Sequence, residues 1–320
     1  MKIFLTGGSG FVGGAFIKAH AKNHEIVAMS RSEKSDAAIK ALGITPIRSS
    51  LNAVAPEHLA GCGAVIHCAA YVEEWGPWAV YEQLNVEGTR QLLDVAKKAG
   101  VKRFVHIGTE AALFHGQHMR GIDETYPLCP QSPFPYSSTK AKAEKLVRDA
   151  NDTDNGFETI ALRPRMIWGP DDQTILAVVK SMAKAGKFVW VDGGKAITST
   201  THIDNLVHAM DLALTKGEGG ENYFILDDGQ ASIRDFFTAY LATEGVEQGA
   251  KAVPGWFLRG LSNVVEPIWR LLRLKSDPPI TKFTAHIMSR DGTFIDKKAR
   301  TQLGYAPLIS REEGLEKLSS

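Results

Sequence analysis

Cysteine is scarce: Cys62, Cys68 and Cys129 are the only three in 320 residues. An odd number without a Cys-x-x-Cys pair suggests neither a disulfide framework nor a zinc site, and it fits a reducing compartment. Net charge is nearly absent too, since 37 basic residues face 36 acidic ones for a formal balance of +1. No global field is left to recruit nucleic acid or an anionic membrane, so any ligand is recognised locally. Long hydrophobic runs are missing. The longest apolar stretch, 256–274, contains Arg259, Glu266, Pro267, Arg270 and Arg273 and fails as a membrane span. The apolar run that follows Lys2 is only Ile3-Phe4-Leu5, too short for a signal peptide, and a cytoplasmic location is expected.

What is present is ordinary globular material, 44% apolar and 23% charged, in a chain long enough to bury a core without staples. Short apolar runs at 2–6, 25–30, 64–68, 103–107 and 158–162 read as strands buried on both faces. Between them lie helix-length patterns at 12–22, 35–42, 78–100 and 138–150. This alternation predicts an α/β fold, a doubly wound parallel sheet of the Rossmann type. Beyond about residue 165 the regularity fades, and then 197–214 and 222–226 look like a helix and strand returning to the core. The expected division is a dinucleotide-binding domain at 1–165 and 197–226, with a smaller, discontinuous substrate cap at 166–196 and 227–320.

Thr6-Gly7-Gly8-Ser9-Gly10-Phe11-Val12-Gly13 follows the first strand and precedes a helical pattern. A pyrophosphate approaches such a turn only where no Cβ intervenes, and the helix start offers unpaired amides with partial positive charge. The second strand should end near Ser30, where NAD-binding versions of this loop place an acid for the ribose. Ser30-Arg31-Ser32 stands there instead, and a guanidinium flanked by hydroxyls suits a 2′-phosphate. NADP(H) is therefore favoured. NAD(H) remains open, with Arg31 then a surface arginine.

Tyr136-Ser137-Ser138-Thr139-Lys140 sets a tyrosine and a lysine four residues apart on one helix face. A free phenol has a pKa of about 10, and a fixed ammonium beside it would favour phenolate and make proton exchange effective near neutral pH. The histidines His67, His106, His115, His118 and His202 form no metal-ligand pattern, and no metal is expected.

With both motifs in place, the chain resembles the extended short-chain dehydrogenase/reductase family over nearly its whole length. Further points of likeness are His67-Cys68-Ala69-Ala70, Asn85-Val86-Glu87-Gly88-Thr89, Gly108-Thr109 and Leu162-Arg163-Pro164. The resemblance implies that Tyr136 is the general acid/base, that Lys140 holds the nicotinamide ribose and lowers the tyrosine pKa, and that Thr109 hydrogen-bonds the reacting oxygen. It places Asn85 behind Lys140 through water. Cofactor contacts are implied for Gly7, Gly10, Phe11, Val12, Gly13, Ser30, Arg31, Ser32, Cys68, Ala69, Ala70, Tyr136, Lys140, Arg163 and Pro164. Two departures are visible. Gly108-Thr109 replaces the usual serine pair, and Ser49-Ser50-Leu51 lacks the acid often found near the adenine, so Ser50 and Leu51 would act through backbone.

Within that family the chain is most similar to the 3β-hydroxysteroid dehydrogenase/isomerase-like branch. The likeness lies in Ala70-Tyr71-Val72 leading to Trp75-Gly76-Pro77-Trp78, in Gly108-Thr109-Glu110-Ala111, in Arg163-Pro164-Arg165 with Trp168-Gly169-Pro170, and in Thr201-His202-Ile203-Asp204-Asn205. Tyr71, Trp75, Trp78, Thr109, Trp256 and Trp269 are the expected substrate pocket. Pro267 is expected to split the apolar stretch into two helices. Arg259, Arg270, Arg273 and Lys275 beside that stretch would also suit shallow contact with a membrane surface, and a homodimer is compatible with the reading. The expected reaction is interconversion of a secondary alcohol and a ketone on a bulky apolar molecule. The alternatives are a sugar-nucleotide epimerase or dehydratase that retains NAD, and a dinucleotide-sensing protein without turnover.

Overall fold

The computed structural model describes residues 1–247, 249–272, 274 and 276–319. Its centre is a seven-stranded sheet: β1 (Lys2–Thr6), β2 (Glu25–Ser30), β3 (Pro46–Arg48), β4 (Ala64–His67), β5 (Arg103–Ile107), β6 (Glu158–Pro164) and β7 (Glu221–Ile225). They lie in the order β7-β6-β5-β4-β1-β2-β3, and every neighbouring pair is parallel. Strand order reverses between β1 and β4, where Ile3 pairs with Ala64 and Phe4 with Val65. In such sheets the ligand crevice opens at the carboxyl ends of the strands beside that reversal.

Side chains of each strand alternate between two helical layers. Ile3 and Leu5 pack with Phe16 and Ile17 of helix α1 (Phe11–His20), and on this face the sheet also meets Leu206 and Met210 further along the chain. Phe4, Val65 and Phe104 face the opposite layer, against Leu92, Leu93 and Ala96. Burying each such side chain contributes about 1.5–3 kcal/mol, which explains why these strands read as unbroken apolar runs.

The pattern at 78–100 is one continuous helical rod with an irregular middle. A first turn, Trp78–Tyr81, passes through a π-helical segment, Glu82–Glu87, before α-helical geometry resumes at Gly88–Lys98. Pro135 sits at the first turn of helix α4 (Pro135–Asp149), with α2 (Glu33–Ala41) and α3 (Gly88–Lys98) preceding it. Helix α5 (Ile203–Ala213) packs beside α1, and β7 then joins β6 at the sheet edge.

Helix α6 (Gly255–Leu271) corrects an expectation: Pro267 lies inside a single helix and does not divide it. The proline and Asn263, whose carbonyl loses its amide partner, are both exposed, so water can satisfy the carbonyl. One face of α6 is bare, with Trp256, Phe257, Leu261, Val264, Ile268 and Leu271 all exposed. No helix among the described residues is long and apolar enough to cross a membrane. Of the basic residues expected beside that face, Arg259 bonds Ser289 and Arg270 packs over Trp75, while Arg273 and Lys275 lie outside the described residues. The short helix α7 (Lys282–Ile287) packs against α6, tied to it by Lys282 N donating to Glu266 Oε1 at 2.6 Å.

Candidate active site

The glycine loop is a cradle with no room for side chains. Gly7 has a φ of +75°, and a Cβ there would stand 2.9 Å from Ala69 N and 3.0 Å from Cys68 C. A Cβ on Gly13 would lie 2.4 Å from the Gly7 carbonyl oxygen, so this glycine lets α1 start directly over the turn. Gly10 caps α1 without a side-chain hydrogen bond, and the first turn carries no acid. Its amides are therefore open to an anion. Phe11 and Val12 follow, half-buried against the core.

At the end of β2, Ser30 is buried and donates to the Ser32 carbonyl at 3.1 Å, and Ser32 caps α2. Arg31 between them is exposed and has no ion pair or hydrogen bond among the described residues. Arg48 lies in register with Ser30 but is committed to Asp36. Ser50 is exposed, whereas Leu51 is buried in the core beside Gly88. Beyond β4, Cys68, Ala69 and Ala70 form the opposite rim, pinned where Ala69 N donates to Thr6 Oγ1 at 3.1 Å. Burial pushes the Cys68 thiol up to about 12, against the pull of Lys140, so this thiol is inert.

Tyr136 and Lys140 rise from α4 to the carboxyl end of β5. Lys140 is buried, and its ammonium donates one hydrogen bond, to the Ile107 carbonyl at 2.8 Å. Its remaining donors have no partner among the described residues, which fits ribose hydroxyls. Burial draws its pKa down to about 8, with Glu144 and Cys68 opposing. The Tyr136 phenol is held above its ordinary value by burial first and the Glu110 carboxylate second, while a hydrogen bond with Thr109 pulls the other way. The expected lowering by Lys140 is thus not the dominant force. This phenol is a stored proton.

Thr109 differs from expectation as well. Its hydroxyl donates to Glu110 Oε2 at 2.8 Å and accepts from Ala111 N at 3.2 Å. Glu110 is buried and bound through Oε1 to Arg165 at 2.5 Å, so it is fixed. Thr109 can serve a reacting oxygen only by turning its proton away from Glu110. Asn85, in the π-helical segment, accepts from Tyr71 N at 2.7 Å and donates to Tyr71 O at 3.1 Å and Thr139 Oγ1 at 3.2 Å. It ties the loop after β4 to α4, one residue from Lys140.

Arg163 lies within β6. It is fully buried, and its guanidinium grips Glu144 of α4 through bonds of 2.9 and 2.5 Å and stacks on Phe224. Its Nη1 is buried without a hydrogen-bond partner among the described residues. Pro164 next to it is buried and paired with Ile225 in the sheet.

The expected tryptophans divide. Trp75 lies under Arg270 at 4.4 Å and so meets the end of α6, Tyr71 packs edge-on against Tyr81, and Trp78 is 39% exposed. Trp269 is half-buried near the same end of α6. Trp256 is 69% exposed and lies about 20 Å from Trp269 along the helix. It does not line one pocket with Trp269. The wall beside the phenol comes from elsewhere: Phe283 of α7 stands edge-on to Tyr136 at 5.8 Å and also touches Phe134 and Phe114. Phe283 and Glu110 were not singled out from sequence. A Thr281-x-x-Thr284 capping pattern ahead of an aromatic residue was the one available signal for Phe283.

Residues 4–254 match the 3-beta hydroxysteroid dehydrogenase/isomerase family. The chain is 37% identical over 322 residues to a 4-hydroxy-2-methyl-3-oxo-4-farnesyl-3,4-dihydroquinoline-1-oxide ketoreductase of Stigmatella aurantiaca, covering 99% of this chain and 96% of that one. It is 34% identical over 331 residues to a 2-alkyl-3-oxoalkanoate reductase of Stenotrophomonas maltophilia, with coverage of 100% and 99%. Among solved structures, UDP-glucuronic acid 4-epimerase from Bacillus cereus in complex with UDP-glucuronic acid and NAD superposes with a TM-score of 0.75 at 25% identity, covering 99% of this chain and 97% of that one. The chain belongs to the 3-beta hydroxysteroid dehydrogenase/isomerase family of extended short-chain dehydrogenases/reductases and is an NAD(P)-dependent oxidoreductase.

Proposed function

We propose that this chain is an NADP(H)-dependent ketoreductase acting on a bulky, largely apolar ketone, with Tyr136 as the proton donor. The observation that carries the reading is the placement of the Tyr136 phenol, one helical turn before the buried Lys140 on α4 and edged by the aromatic ring of Phe283. The two relatives named as ketone reductases support it. The uncapped start of α1 and the glycine cradle would hold the pyrophosphate, Lys140 the ribose, and Arg31 the 2′-phosphate. When bound, a reduced nicotinamide supplies the hydride that converts carbonyl carbon to alcohol carbon. Tyr136 gives its proton to the carbonyl oxygen as negative charge develops there, and the resulting phenolate takes a proton back before the next turnover. Thr109 steadies the same oxygen once its hydroxyl turns from Glu110. The Phe283 ring beside the phenol, backed by the buried Phe114 and Phe134, would exclude water and favour an apolar body over a diphosphate.

A panel of ketones with NADPH and with NADH, followed by nicotinamide absorbance, tests this. Tyr136→Phe should lower kcat at least about a hundredfold while leaving cofactor affinity near normal, and Arg31→Asp should weaken NADPH more than NADH because repulsion replaces attraction. Turnover of nucleotide-diphosphate sugars without net change in absorbance, and none of apolar ketones, would replace the reading with that of an epimerase.

A further inference from the structure

Helices α1 and α5 lie side by side, and the end of α1 far from the glycine loop carries a cluster outside the chemistry described above. His20 is the last residue of α1, and the turn continues so that His24 N donates to His20 O at 3.0 Å. That bond keeps the two imidazoles at helical i, i+4 spacing, on one face. Asp211 of α5 meets both. Its Oδ1 lies 2.9 Å from His24 Nε2 and 3.6 Å from His20 Nδ1, and the three ligand atoms all lie within 4.8 Å of one another. A tetrahedral ion bound at about 2.1 Å holds neighbouring ligand atoms roughly 3.4 Å apart, so the cluster already has nearly that size.

A second observation comes from His20. Its Nδ1 is sealed from water and has no hydrogen-bond partner. A buried acceptor or donor left unmade is costly, and a bound cation would satisfy it. The side chains of His20 and His24 are 15% and 16% exposed and that of Asp211 is 37% exposed, so the cluster is walled yet open to an entering ion.

We propose that His20, His24 and Asp211 form a binding site for a first-row divalent transition ion, zinc foremost, that staples α1 to α5. Two imidazoles and one carboxylate suit zinc, nickel or cobalt and are too nitrogen-rich for magnesium or calcium. The site stands about 15 Å along α1 from the cofactor loop, so its role is to fix the helix that presents the loop and not to take part in the reaction. This inference does not depend on the substrate assignment.

The test uses the full-length chain without a histidine tag, titrated with Zn²⁺ and, for its visible ligand-field bands, with Co²⁺. One ion per chain is expected, with affinity at least about tenfold weaker in His20→Gln, His24→Gln and Asp211→Asn and cofactor affinity unchanged in all three. Zn²⁺ should raise the thermal midpoint of the parent and not that of His20→Gln. In the parent chain, which needs no variant to fold, Zn²⁺ should protect His20 and His24 from diethyl pyrocarbonate while the exposed His115 and His118 stay reactive. Absence of saturable binding, unchanged affinity in the variants, or equal reactivity of His20 and His24 with and without Zn²⁺ would overturn the site.

Discussion

The ammonium of Lys140 is closed off from water, makes one hydrogen bond to Ile107, and is drawn down to about 8 by burial. Two consequences of opposite sign follow. The pH dependence of kcat/KM reports groups of the free enzyme, and the phenol of Tyr136 stays protonated well beyond that range, so kcat/KM should fall above about pH 8 as Lys140 loses its charge. Stability should move the other way. Between about 8 and the ordinary lysine value of 10.5 the unfolded chain binds more protons than the folded one, so the free energy of unfolding rises with pH across that window and its gain is lost as pH falls back through 8. Parallel pH series of kcat/KM and of chemical denaturation check both. A kcat/KM that stays level to pH 9.5 would show that this ammonium does not govern turnover.

Between elements, the Glu144–Arg163 pair joins α4, which carries Tyr136 and Lys140, to β6. Both side chains are fully buried, so each charge depends on the other. Removing one partner of such a pair costs about 3–5 kcal/mol, whereas replacing both with apolar residues of similar volume is often neutral. Glu144→Ala should therefore shift the denaturation midpoint strongly, and the double change Glu144→Met with Arg163→Met should recover most of the loss. Equal destabilisation by the double variant would mean that the polar contacts themselves, and not charge pairing, hold the helix. This pair also marks how far the sequence could be read. Strands β1, β2 and β5 were legible at their observed bounds because residues buried on both faces leave an unbroken apolar run, and the glycine loop was legible because its spacing reflects a steric need. Arg163 was read just past a strand ending at 162 and lies within β6, and its pairing with Glu144 could not be read because a motif records position and not the partner a side chain takes. The π-helical segment around Asn85 was invisible in the 78–100 pattern, as it depends on Asn85 reaching Tyr71 and Thr139. Pro267 was read as a break because its exposure, which makes it tolerable, is a tertiary fact.

Across the whole molecule, the ring cluster beside the Tyr136 phenol is built from parts far apart in the chain. Phe114 follows β5, Phe134 precedes α4, and Phe283 comes from a helix near the C-terminal end, and the three rings meet within 5.4 to 6.1 Å of one another. Hydrogen bonds lock the outer pieces: Thr284 Oγ1 of α7 donates to Glu74 Oε2 in the loop after β4 at 2.6 Å, and Arg259 Nη1 of α6 donates to Ser289 Oγ at 2.6 Å. No sequence period links such positions, which is why the tryptophans of α6 stood out in the sequence by residue type whereas the phenylalanine of α7 that stands beside Tyr136 did not. Phe283 touches the Tyr136 phenol but is itself half-buried, so its loss should affect binding more than folding. Burying a large apolar group contributes roughly 1.5–3 kcal/mol, or about ten- to a hundredfold in affinity. Phe283→Ala should accordingly raise KM for a long-chain or fused-ring ketone by that factor, change KM for a small ketone far less, and leave cofactor affinity unchanged. Steady-state kinetics with a bulky and a small ketone side by side decide the matter. An equal rise in KM for both would mean that Phe283 only orients Tyr136, and the substrate's apolar body would then have to be sought against the rim formed by Tyr71, Trp75 and Trp269.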